Sequence, residues 1–455
     1  MTLALALARR PAAANAFMLG ASVLTGAVLL RSRPACFAAF SWWVWIVAPE
    51  LRRVVDFYGG AYNRTNPLVL SPLLVTALVA GPIVRHLPRL RRRSLFPFAV
   101  AQTGLLLGFC VGFVRVEPPA AVYALMSWSA PLLFGLWLAL EWPRYSEIRD
   151  AMLDTFVLAL PILGAYGVFQ FVSPPGWDRS WMIWSKMNSI GRPFPFQVRV
   201  FSLSNSPGAL AAVLAVTLLL VTGSRRPGRG AAVCGGIAAL LLSLVRASWL
   251  GAVVGGVVLA TQATRQALRR YVLTAVALAA GISGAVVVGY AVLPSTAVMR
   301  VTDILGRRLT SLGDLAQDRS YVERSQIINR ALEQIGSHPL GLGLGATGVG
   351  ARLGPQGGIE AFDNGLLDVV YSLGWFGAAL FYGGILAVTL RQTTPRAEVA
   401  AGDGTPAAAR AALAATAVQL LSGNQFWNVM GAAFWTAAGL LAASRMWYAA
   451  RDARE

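Results

Sequence analysis

An all-α integral membrane protein crossing the bilayer twelve to fourteen times is what this sequence predicts, and three observations predict it. Hydrophobic residues make up 56% of the 455 positions and charged residues only 13%, against about a quarter charged in a soluble globular chain. The apolar residues are gathered in blocks. Arginines fill the short segments between the blocks.

Many of the blocks reach the roughly 20 residues that a helix rising about 1.5 Å per residue needs to cross a hydrocarbon core. Candidate spans are 11–30, 34–50, 67–84, 95–114, 119–140, 151–172, 207–222, 231–245, 247–260, 271–293, 365–390, 407–422 and 426–443. Blocks such as 231–245 and 247–260 are short for a full crossing, hence the range in the count. The chain divides into helices with short loops over 1–293, a long loop with amphipathic helices over 294–364, and C-terminal spans with a tail over 365–455. Block 11–30 shows no small-residue cleavage site, and the next block follows after only Arg31, Ser32 and Arg33, so it is read as a retained span.

A net charge of +19 would suggest nucleic acid in a soluble protein. Here the charge follows the positive-inside pattern, and no basic stretch is interleaved with aromatics to offer bases a stacking platform. No nucleic-acid partner is expected; membrane lipids are. Cys36, Cys110 and Cys234 are scattered, and His86 and His338 are the two histidines. Neither a disulfide framework nor a His/Cys zinc site is expected, since zinc ligands converge in threes or fours.

Arg85, Arg89, Arg91, Arg92 and Arg93 mark one cytoplasmic loop, Arg225, Arg226 and Arg229 another, and Arg265, Arg269 and Arg270 a third. The same rule puts 141–150, 391–406 and the tail from Arg445 inside, and 115–118, 173–206, 294–364 and 423–425 outside. Arg9 and Arg10 argue for an inside N-terminus, whereas strict alternation puts it outside. The loop 294–364 is too long for a plain connector. Within it Ser320 to Glu323 has capping-box form, and Ile328, Ala331, Leu332 and Ile335 follow at helical spacing until Gly336 and Pro339.

Arginine at membrane depth costs about 2.5–3.5 kcal/mol on insertion scales. Arg246, between two short apolar runs, either binds an anion on the outer side or snorkels to the headgroups. Arg199 stands before a span whose entry is broken by Asn205, Pro207 and Gly208. Two guanidiniums meeting there suit a diphosphate, through bidentate, charge-assisted bonds; an ordinary loop arginine is the alternative. Arg324 shares a stripe with Ile328, Ala331 and Ile335, so it points either at a ligand or at a neighbouring carboxylate. Asp363 and Asn364 open the run to Gly377, where Asp363 serves either as a general base or as a helix cap. Gly343 to Gly348 spells a dinucleotide fingerprint but follows no strand, so a flexible glycine loop is expected. His338, beside Pro339, reads as structural support for the end of a helix.

These residues resemble the O-antigen ligase and Wzy-type polymerase superfamily of bacterial polysaccharide assembly. The elements that carry the resemblance are Arg199 through Pro207, Arg246 through Trp249, Arg324 through Gly345, and Asp363 through Gly377. It implies a GT-C-like bundle with a long periplasmic loop, and an inverting, metal-independent glycosyltransferase without cofactor in the inner membrane. It implies a cytoplasmic C-terminus and an active site facing the periplasm. Arg199 and Arg246 would bind the diphosphate of an undecaprenyl-linked glycan donor, with Arg324 assisting and Asn364 and His338 supporting. Ligases of the family carry a histidine eleven residues before a glycine; here the pair is Asp363 and Gly374. Aspartate in that place favours an exopolysaccharide, capsule or O-antigen polymerase over a ligase. A glycan acceptor, a flippase and a chain-length regulator are the implied partners. A flippase or secondary transporter, or an ancillary export scaffold, is the competing class; transporters often show internal repeats, and none is evident here.

Overall fold

The computed structural model describes residues 1–91, 94–262, 269, 306, 328–329, 331–348, 351, 362, 364–390 and 402–454. Among them the chain is helical, apart from connecting turns and one isolated bridge between Gly191 and Val198. The helices are α1 (Thr2–Leu7), α2 (Pro11–Ser32), α3 (Pro34–Gly59), α4 (Ser71–Ala77), α5 (Ala80–Arg85), α6 (Phe96–Arg115), α7 (Pro118–Leu140) and α8 (Tyr145–Val172). They continue with α9 (Gly176–Trp184), α10 (Pro207–Gly223), α11 (Arg229–Leu242), α12 (Arg246–Thr261), α13 (Gly365–Leu390), α14 (Thr405–Gln419) and α15 (Asn428–Asp452). Seven helical runs among the described residues are long and apolar enough to cross a membrane, and α10, α11 and α12 are shorter apolar helices. The chain is an all-α integral membrane protein.

Each expected span coincides with a helix or a broken helix, except 271–293, which lies outside the described residues. The span 67–84 is broken into a 3₁₀ turn, α4 and α5. Pro82 explains the second break: it has no N–H to give Leu78, and the turn is closed by tighter bonds such as Gly81 N to Leu78 O at 3.2 Å. The expectation that the second span ends at residue 50 is corrected, because α3 runs on to Gly59 and carries Glu50, Arg52, Arg53 and Asp56 inside it.

Without a hydrophobic drive between helices in lipid, close approach of backbones holds such a bundle together. Small residues line its seams. A Cβ on Gly135 of α7 would stand 2.4 Å from the Trp435 carbonyl of α15, and one on Gly164 of α8 would stand 2.4 Å from the Gly235 carbonyl of α11. Gly251 and Gly255 of α12 meet the Ala415 and Ala411 carbonyls of α14 in the same way.

The two ends of the bundle sort the loops as the arginine count does. At one end Asp403 accepts from Tyr145 Oη and Arg149 Nη1, both at 2.8 Å, and from Tyr448 Oη at 3.1 Å. Arg226 pairs there with Asp150 at 3.0 Å and with Asp154 at 3.2 Å. At the other end Arg115 Nη1 donates to the Gly341 carbonyl at 2.9 Å, and Gly365 lies against Gly423 and Asn424. The N-terminus joins this second end: Ala6 and Ala14 pack with Val54, Val55 and Leu68, and Trp177 lies against them. The start of the chain thus lies at the end that also holds Trp177.

Burial alone would raise the Asp403 carboxyl, but Arg149, the Thr405 amide and Tyr145 together hold it below the usual carboxylate range. A depressed folded value stabilises above the unfolded pKa, near 4, and this stabilisation is lost as the pH falls through the folded value. Asp403→Asn is expected to lower stability at pH 7 by about 1.5–3 kcal/mol and to flatten the acid limb below about pH 4. Thermal unfolding of the detergent-solubilised protein across pH 3–7 would check both.

Candidate functional site

The segment 199–206 and the turn 243–246 come together at the end of the bundle that holds the N-terminus. Val200 N donates to Leu242 O at 3.0 Å, and the Arg199 guanidinium donates to Leu244 O at 3.1 Å and to Ser243 O at 3.4 Å. Two hydrogen bonds from the Arg199 side chain and one from Val200 thus pin this segment to the turn from which α12 starts, with Arg246 as its first residue. Sequence reasoning expected the two guanidiniums to converge; the structure brings the Arg199 side chain to the turn that precedes Arg246. Ser202 and Leu244 hold φ of 46° and 56°, a left-handed conformation that non-glycine residues adopt sparingly and that concentrates at functional sites. Arg246 is the first residue of α12, so the free N–H groups and the positive end of that helix's dipole fall at this turn, a placement that favours an anion.

The segment 199–206 is anchored from behind by Arg53, Glu50, Asp178 and Tyr166, which the sequence does not single out, and by Gln170, read from the sequence only as a helix–helix hydrogen-bonding residue. Arg53 of α3, 1% exposed, donates to the carbonyls of Ser202, at 2.6 Å, and Ser204. It is gripped in turn by Glu50 and by Asp178 of α9, the latter at 2.9 Å. Gln170 of α8 gives the segment a second clamp: its Oε1 accepts from Phe201 N and Ser202 N, both at 2.9 Å, and its Nε2 donates to Asp178 at 2.6 Å. Tyr166 Oη lies 2.7 Å from Glu50 and 3.0 Å from Asp178, so one hydroxyl proton serves two carboxylates. Burial pushes the Asp178 carboxyl up to about 6, the pull of Arg53 opposes this, and the Glu50 charge adds to the rise.

Around the corner, residues 331–337 are helical, with Ala331 and Ile335 buried against Phe362 and Tyr371 as their spacing predicts. The expectation of a flexible glycine loop after them is corrected. Residues 341–348 are buried and bonded: Leu342 N and Gly343 N donate to Tyr371 O and Ser372 O at 2.9 and 3.1 Å, and Leu344 N donates to Gly108 O at 2.9 Å. The loop enters α13 where that helix is broken at Gly374, whose φ of 67° and ψ of 179° free Pro339 O to accept from Trp375 N at 2.9 Å.

The supporting residues take structural places. Asn364 Oδ1 accepts from Leu366 N and Leu367 N at 3.0 and 3.1 Å and so caps α13. His338 Nδ1 sits 3.0 Å from the Gln334 carbonyl of its own helix and 2.9 Å from Ser337 Oγ, at the helix end. Asp363 and Arg324 lie outside the described residues. Ser248, one turn into α12, donates to Gln419 Oε1 at 3.1 Å and ties the arginine turn to the end of α14.

Residues 230–382 match the family model described as O-antigen ligase. The matched stretch is about a third of the chain and takes in α11, α12, the buried glycine loop and most of α13. Comparison with curated proteins finds no match. Arg199, Gln170 and Arg53 precede the matched stretch but are bonded to it or to its neighbours.

Proposed function

We propose that this chain, a member of the O-antigen ligase and Wzy-type superfamily through residues 230–382, is an inner-membrane glycosyltransferase that polymerises lipid-diphosphate-linked oligosaccharide repeats on the periplasmic face. The observation that carries the reading is the pinning of the Arg199 segment onto the turn that begins with Arg246, by bonds of 3.0, 3.1 and 3.4 Å. A diphosphate leaving group needs fixed positive charge where its own charge develops, and an arginine held by backbone carbonyls, as Arg199 is, supplies it without reorganisation. An acceptor hydroxyl attacks the anomeric carbon and inverts it, and the undecaprenyl diphosphate departs. No metal takes part in this scheme. Asp363 is its candidate base, with Arg324 a further contact to the diphosphate.

The C-terminus lies in the cytoplasm on this reading, with the ends of the bundle assigned by the arginine-rich loops. A flippase that delivers the donor and a regulator of chain length are the partners such an enzyme needs. The ligase alternative differs only in the acceptor, a lipid or protein in place of a growing glycan.

The test is to incubate the purified protein in lipid vesicles with the lipid-linked oligosaccharide extracted from its host. A ladder of longer lipid-linked glycans is expected, and Arg246→Ala should lower its rate by about 10²–10³-fold, the loss typical of removing one preorganised donor to a developing charge. Transfer to a different acceptor would favour the ligase. Movement of intact lipid across the vesicle without a new bond would make the protein a transporter and overturn the proposal.

A further inference from the structure

Asp368, in the first turn of α13, is a carboxylate only 6% exposed. Its Oδ2 accepts from Asn424 Nδ2 at 2.6 Å. Its Oδ1 receives no hydrogen bond of ordinary geometry among the described residues, although the Thr347 hydroxyl lies beside it. It takes part in no ion pair among the described residues, and the capping of α13 is done by Asn364. A buried carboxylate with one oxygen only loosely held among the described residues is costly, and such groups cluster at functional sites.

That something has a place. Asp368 lines a small cavity together with Ser127, Trp128, Thr347, Gly348 and Trp427, with room for about one hydroxyl-sized group. A carboxylate and two hydroxyls around a space of that size suit one hydroxyl of a saccharide, with the Trp128 and Trp427 rings as its apolar walls. The cavity is tied to the arginine turn by two side-chain bonds. Ser248 bonds Gln419 and Asn424 bonds Asp368, and the five chain steps from Gln419 to Asn424 span at most about 18 Å.

We infer that Asp368 is the base that receives the acceptor hydroxyl, with this cavity as the end of the acceptor subsite. The inference rests on the glycosyl-transfer reading and assigns the base to a residue other than Asp363. The acceptor oxygen forms the bond to the anomeric carbon while its proton moves to Asp368 Oδ1. The bond from that carbon to the diphosphate oxygen breaks, and its electron pair leaves with the lipid diphosphate beside Arg246.

The experiment measures kcat and donor KM for wild type, Asp368→Asn, Asp363→Asn and Asn424→Ala in lipid vesicles, with the host's lipid-linked oligosaccharide as donor. Asp368→Asn is expected to lower kcat by about 10²–10⁴-fold, the usual worth of a positioned base, with donor KM unchanged. Asn424→Ala, which keeps the carboxylate and removes its structural bond, is expected to lose far less. Near-wild-type kcat in Asp368→Asn overturns the inference, as does a loss in Asn424→Ala equal to that in Asp368→Asn, which would make the role structural. Loss in Asp363→Asn with retention in Asp368→Asn returns the base to Asp363. If Asp368→Asn does not fold, Asp368→Glu decides: a kcat fall at constant donor KM supports the base, and wild-type kcat overturns it. A wild-type protein that forms no glycosidic bond overturns the transfer reading itself, and this inference with it.

Discussion

Arg53→Met is expected to lower stability by about 3–5 kcal/mol, the loss that follows when one partner of a buried ion pair is removed. Methionine fills the space but leaves Glu50 and Asp178 facing each other with a single tyrosine hydroxyl between them. It also takes two donors from the carbonyls of Ser202 and Ser204, so the segment that carries Arg199 loses its anchor. Thermal unfolding should show the loss, and hydrogen exchange should show new opening over 199–206. Adding Asp178→Asn to Arg53→Met should recover part of the loss by removing one stranded charge. An unchanged transition in Arg53→Met would mean that the cluster plays no part in holding this end of the bundle.

Gly343→Ala is expected to be comparably severe. Gly343 holds φ at 95°, and a Cβ there would stand 2.2 Å from Gly112 Cα and 2.3 Å from Gly112 N. Left-handed backbone costs a non-glycine residue roughly 1–2 kcal/mol, and overpacking against an unyielding neighbour adds about 1–3 kcal/mol. The loop should leave its groove on α6, taking Thr347 and Gly348 away from the Asp368 cavity. Proteolysis at 339–348 and a lower unfolding temperature are the expected results. Gly336→Ala is the control, since nothing lies within 4 Å of its added Cβ and alanine favours a helix by about 1 kcal/mol. Equal behaviour of the two variants would show that the loop is not held by close packing.

The helices were legible because hydrocarbon thickness sets their length and apolar blocks mark it. The arginine turn was legible because Arg246 interrupts two apolar runs. What was not legible depends on residues far apart in the chain. Arg53 and Asp178 are separated by 125 positions, and the block 34–50 appeared to end just where the helix continues with a buried charged face. Glu50 and Arg53 stand three residues apart, with Asp56 three further on, a helical spacing that would have signalled the continuation. The docking of the glycine loop was written in α6 as Gly104, Gly108 and Gly112, a run of small residues at every fourth position that reads as a close-approach face. Asp368, like Arg246, is a charge within an apolar run, a signal that the sequence carries five residues after Asp363.

The shortness of α11 has a consequence for the bilayer around it. Fourteen residues from Arg229 to Leu242 rise about 21 Å, against roughly 30 Å of hydrocarbon. Neighbouring α12 turns Leu250, Val253 and Val257 outward as an apolar stripe, a face suited to lipid. A mismatch of several ångströms is relieved when the surrounding leaflets thin. Under the proposed function, leaflets thinned in this way would bring a lipid-anchored headgroup closer to the turn that begins with Arg246.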